Sequence, residues 1–128
     1  MEDNDLFLRR ISPLWLTGDG TESNPVRISS QAFQNASDGG MSGYLDSLMA
    51  SDGVPRSSVR EGYPTFFVAR LTIGTLNSVG QAVIHEPVEP PVHICDPYHA
   101  NARGEKNKSI KRKLAQAAEW VEDLGPSK

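Results

Sequence analysis

Apolar positions recur along this chain in two rhythms, a period near two and a period near 3.6, and each predicts a different element. The run LFLRRISPLWL at 6–16 places Leu6, Leu8 and Ile11 on a short strand that Pro13 ends. Residues 26–33 read as a short strand or the start of a helix, with Ser29 or Ser30 as its cap. The glycine-rich stretch 34–43 reads as a loop. Residues 44–49 suit a short helix or strand, broken by Asp52, Gly53 and Pro55. Ser57 and Ser58 precede a single predicted helical turn. The clearest strand is 65–73, rich in aromatic and β-branched residues. Further strands are predicted at 81–85 and 92–95, separated by Pro87, Pro90 and Pro91, which favour an extended edge.

The helical rhythm is clearest at 109–124. Ile110, Leu114, Ala117, Val121 and Leu124 form its stripe, Ser109 is the expected N-cap, and Gly125 and Pro126 the expected stop. The predicted architecture is α+β, a small sheet of short strands packed by this amphipathic C-terminal helix. Residues 1–128 are expected to form one domain, with 1–5 flexible.

Composition narrows the class. Hydrophobic residues make up 38% of the chain and charged residues 23%, which excludes fibrous and composition-driven disordered chains. Gly and Pro together number 20, so loops are expected to be frequent. The N-terminus is acidic and no long apolar run follows it, so neither a signal peptide nor a membrane helix is predicted. A single cysteine, Cys95, forms no internal disulfide, and a cytoplasmic location is the expectation.

Charge changes the picture more. The net charge is -3, yet the eleven positions 103–113 hold six basic residues against Glu105 alone. That tract carries +5 and the rest of the chain -8. Arg103, Gly104, Lys106, Lys108, Ser109, Lys111, Arg112 and Lys113 are therefore the candidate anion-binding residues. Cations in a first helical turn cost ~0.3–1 kcal/mol each, and a bound anion reverses that sign. The tract lacks the Walker spacing, so it does not read as a nucleotide-hydrolysing loop. The leading expectation is a small accessory module whose 103–113 segment engages an anionic partner, nucleic acid or an acidic protein surface, away from any membrane.

Two other groupings carry possible chemistry. Arg9 and Arg10 are adjacent, so on a strand they point to opposite faces and one looks inward, where it needs a partner. With Ser29, Ser30 and His99 they form a candidate pocket. His93, Cys95 and His99, with Asp96 nearby, have a spacing that zinc would accept, or that a nucleophile and base would. They match no standard signature of either kind. Buried cysteine and ordinary histidine hydrogen bonds are the simpler reading, and no metal or cofactor is predicted.

The residues Leu8-Arg-Arg-Ile with Pro13, Ser29-Ser30 with Ala32-Phe33, Met41-Ser42, and His99 with Gly104 and Lys106 resemble a set of small bacterial proteins that bring no assigned function. A second likeness is to RES-type ADP-ribosyltransferase-like folds. That resemblance implies a split sheet gripping an NAD-like ligand, with Arg9 or Arg10, Ser29 or Ser30, and Tyr44 at the matching positions. No glutamate stands in such a family's catalytic motif. The alternative expectation is thus a small enzyme acting on an NAD-like or phosphorylated ligand.

Overall fold

The computed structural model describes residues 1–126. Its main sheet is built from β1 (Leu6–Ile11), β4 (Gly40–Leu45), β5 (Phe67–Thr72), β6 (Ala82–His85), β7 (His99–Arg103) and β8 (Glu119–Trp120). A separate small hairpin pairs β2 (Leu16–Thr17) with β3 (Arg27–Ile28). Three helices, α1 (Asp46–Ser51), α2 (Ile73–Ser78) and α3 (Lys108–Ala117), complete the α+β fold. None of the described helices is long and apolar enough to cross a membrane.

The main sheet is antiparallel at every pairing, in the order β6-β7-β4-β1-β5-β8. It is two three-stranded halves joined weakly at the middle. β1 pairs with β5 over six residues, and β4 with β7 over five. β1 and β4 share only two pairs, Phe7 with Leu45 and Leu8 with Tyr44. Past Leu8 this central ladder stops. Backbone groups that leave a ladder must find other partners, and the side chains flanking the opening supply them.

Each face of the sheet carries its own core. Phe7, Ile11, Phe33, Met41, Leu71, Ala102 and Leu114 are buried on one face, with Ile110 and Ala118 packed against them. Leu8, Tyr44, Met49, Val59, Val68, Cys95, Val121 and Leu124 are buried on the other. Because successive side chains alternate across a strand, Arg9 and Arg10 leave β1 toward opposite faces, as their adjacency predicts, and both line the opening beside it.

Several sequence expectations are corrected. The stretch 34–43 is a loop only to Gly39; Gly40 to Gly43 belong to β4 in mid-sheet. Its glycines serve close packing. A Cβ on Gly43 would come within 2.2 Å of the Phe7 ring, and one on Gly40 would meet the Asn101 side chain at 2.8 Å. Residues 92–95 form no strand, and the strand in this region is β7 instead. The 109–124 helix is replaced by the shorter α3, because Ala118 turns extended and Glu119–Trp120 pair with the free edge of β5. Val121 and Leu124 then reach the opposite core, which a continuous helix could not fill. The N-cap of α3 is Asn107, whose side chain accepts from the Ile110 N–H, and Ser109 is simply exposed. Within residues 1–5, the Asp3 and Asp5 carbonyls accept backbone hydrogen bonds from Gly74 and Ile73.

Candidate functional site

The opening between β1 and β4 holds a cleft of about 160 Å³ lined by Arg9, Arg10, Trp15, Ser42, Tyr44 and Phe66. Arg9 spans it. Its Nε donates to the Ala32 carbonyl at 2.9 Å and its Nη1 to the Ser42 carbonyl at 2.6 Å. The guanidinium lies 5.6 Å from the Trp15 ring. Arg10 donates from Nη2 to the Tyr44 hydroxyl at 2.5 Å and stacks 4.0 Å from the centre of the Tyr63 ring. Its Nη1 is buried without an acceptor.

Neither arginine meets a carboxylate: among the described residues the ion pairs belong to Arg56, Arg70 and Arg103. The electrostatic consequence is visible at Arg9. Burial first, and the like charge of Arg10 second, lower its pKa to about 10. Burial raises the Tyr44 phenol above its ordinary value, against the pull of Arg10, so it stays protonated at neutral pH.

Ser42 and His99 face each other across β4 and β7. Ser42 Oγ lies 2.7 Å from His99 Nε2, and His99 Nδ1 lies 2.8 Å from the Glu86 carbonyl. A carbonyl only accepts, so Nδ1 carries the hydrogen, and in the neutral ring Nε2 accepts from the Ser42 hydroxyl. Glu86 is itself fixed from two sides. Its N–H donates to the His99 carbonyl at 2.9 Å, and its carboxylate takes a two-pronged bond from Arg103 at 2.6 and 2.8 Å. The Tyr44 ring packs edge-on to His99 at 5.8 Å. Arg10, Tyr44, His99 and Ser42 thus form one connected cluster.

The structure divides the predicted basic tract. Arg103 is occupied by Glu86 and by the Asp38 carbonyl. Lys106 donates to Asn35, to the Ala102 carbonyl and to the Gly104 carbonyl. Burial, then Arg9 and Arg103, lower its pKa to about 8. Gly104 packs against Gly80 and Gln81, where a Cβ would meet the Gly80 carbonyl oxygen at 2.6 Å, so it is not an open phosphate-approach glycine. Lys108, Arg112 and Lys113 are exposed, and Lys111 is half-buried.

The predicted pocket is united in part. Arg9 and Arg10 line one cleft and His99 is joined to it through Ser42, whereas Ser29 and Ser30 line a different, open groove of about 540 Å³ with Arg27 and Arg112. Ser29 is committed to capping the 3-10 turn Ser30–Phe33. Ser42, which lines the cleft, is not among the residues predicted for the pocket. The signal was its two-residue spacing from Tyr44, which puts both on one strand face.

The proposed metal or nucleophile set does not assemble. Both nitrogens of His93 are occupied, Nδ1 by the Cys95 N–H and Nε2 by the Glu61 carbonyl. Burial raises the Cys95 thiol to about 11, which disfavours the reactive thiolate. Among the described residues no three His, Cys, Asp or Glu side chains cluster as a metal site.

Compared with known proteins, the chain matches no family model, no curated protein and no solved structure.

Proposed function

We propose that the cleft between β1 and β4 binds the phosphate group of a small ligand, with Arg9 and Arg10 as its counter-charges. The observation that carries this reading is that Arg9 and Arg10 line one cleft and, among the described residues, neither meets a carboxylate. Uncompensated charge removed from water is costly, and a bound anion offsets it. Two cations match a phosphate monoester dianion better than a single carboxylate. The planar fork of arginine suits a tetrahedral oxyanion. The unpartnered Arg10 Nη1 offers a free donor. Tyr44 adds another, since its hydroxyl accepts from Arg10 and its own hydrogen has no acceptor among the described residues. Inorganic phosphate and pyrophosphate are the first probes. Saturable binding that is lost in Arg10→Ala supports the reading, and equal binding by that variant refutes it.

A second reading keeps part of the basic tract. Lys111, Arg112 and Lys113 have no ion pair among the described residues, and Arg27 and Arg112 both line the larger groove. These four cations suit an extended polyanion such as nucleic acid. Binding of that kind falls steeply with salt.

A further inference from the structure

We infer that Ser42 is a nucleophile and His99 its general base, and that the cleft transfers a phosphoryl group from a phosphate ester onto the Ser42 hydroxyl. This inference rests on the phosphate-site reading and adds a reaction to it.

The arrangement has the three parts that activate a serine: a hydroxyl, a base in hydrogen-bond reach, and a third group orienting the base. The separation of Ser42 Oγ from His99 Nε2 is 2.7 Å. The orienting group is the backbone carbonyl of Glu86 rather than a carboxylate. It fixes the tautomer without adding negative charge, which suits a site that must admit a dianion. Glu86 is held in turn by the Arg103 fork, so the orienting carbonyl is pinned from behind. Ser42 lines the same cleft as both arginines, and its backbone carbonyl is bonded to Arg9. Phosphoryl transfer asks the protein chiefly for positioning and for cations to neutralise charge on the moving group. The competing hydroxyls and thiol are disqualified by their settings: Ser29 caps a turn and Cys95 is fully buried.

Ser42 Oγ forms a bond to phosphorus as the bond to the ester's alkoxide oxygen breaks. The Ser42 proton passes to His99 Nε2 and from there to the departing alkoxide. Water, deprotonated by His99, then attacks the phosphoserine. Ser42 leaves with that proton, and the net reaction is phosphate ester plus water giving alcohol plus inorganic phosphate.

The test is to incubate the full chain with p-nitrophenyl phosphate, quench in acid, and measure intact mass with peptide mapping. The expected result is the added mass of one phosphoryl group at Ser42, absent in Ser42→Ala. His99→Gln should slow its appearance by about 10²–10⁴-fold, as loss of a general base does. Thermal melting of both variants confirms that they are folded. Inorganic phosphate binding is measured on the same samples. Phosphate that binds without any adduct on Ser42 overturns the nucleophile assignment while leaving the anion site standing. Failure of phosphate and pyrophosphate to bind overturns both. An adduct on another residue, or one unaffected by His99→Gln, also overturns it.

Discussion

Ser42 and His99 sit on neighbouring strands with a hydroxyl and an imidazole nitrogen 2.7 Å apart, beside the point where β1 and β4 separate. The juxtaposition follows from register. Tyr44 pairs with His99 and Ser42 with Asn101, so Ser42 and His99 are diagonal neighbours on one sheet face. The same opening admits Arg9 and Arg10, which turns a hydrogen-bonded pair into a pair beside two cations.

Arg9 is predicted to be structural as well as ligand-binding. Its two hydrogen bonds tie β1 to β4 and to the 3-10 turn where the ladder is missing. Arg9→Met should cost about 1–3 kcal/mol for each carbonyl left without a donor and out of reach of water. Chemical denaturation checks this. Arg10→Ala should be far milder, because Arg10 satisfies no backbone group.

Gly43→Ala should destabilise strongly. Phe7 is fully buried and its ring fills the space a Cβ would take, so one of the two must shift. Overpacking of this kind costs about 1–3 kcal/mol. Gly53→Ala is a useful comparison, since no atom lies within 4 Å of its Cβ position and the cost there comes from its positive φ of 71° alone.

Glu86 makes stability depend on acid. The Arg103 fork holds its carboxyl below the usual carboxylate range, despite some desolvation. A depressed pKa contributes stability above the unfolded value of 4.5 that is lost as pH falls through the folded one. Glu86→Gln should flatten the acid limb of the melting-temperature profile. If the fork also steadies the orienting carbonyl, the same variant should slow phosphoryl transfer to Ser42.

Cys95 supplies the alkaline counterpart. Its thiol, raised by burial from 9.0 to about 11, keeps its proton when the unfolded chain has lost its own. That contribution is complete below pH 9 and lost as pH rises toward 11. Cys95→Ala should remove this part of the alkaline decline. At pH 8, iodoacetamide should modify the unfolded chain and spare the folded one.

How much of this was legible in the sequence depends on whether local pattern or pairing decided each element. The strand at Phe67–Thr72 was readable because its β-branched and aromatic residues favour a pleated, half-buried surface wherever they occur. β4 was not, since Gly40 and Gly43 carry a turn signal locally and are selected by Phe7 and Asn101, partners far along the chain. β7, with the sequence HANAR, has little strand propensity and is held by strands on both sides. The helical period continued past Ala117 because Val121 and Leu124 are apolar for a different reason, burial on the other face. Adjacent Arg9 and Arg10 announced an inward-facing charge. The charge-dense tract misled because local charge does not reveal that Arg103 and Lys106 already have partners.

Replacing Lys111, Arg112 and Lys113 together with Glu separates the two binding readings. Phosphate binding in the cleft should persist, because none of the three residues lines it. Oligonucleotide binding, if present in the parent, should disappear.

Whether Arg9 and Arg10 together hold an anion is decided by thermal unfolding of the parent and Arg10→Ala across a titration of phosphate and pyrophosphate. The parent should show saturable stabilisation, reaching about 2.7 kcal/mol at a hundred times Kd, and Arg10→Ala should lose it. No stabilisation of the parent by either anion, or equal stabilisation of both proteins, would contradict it.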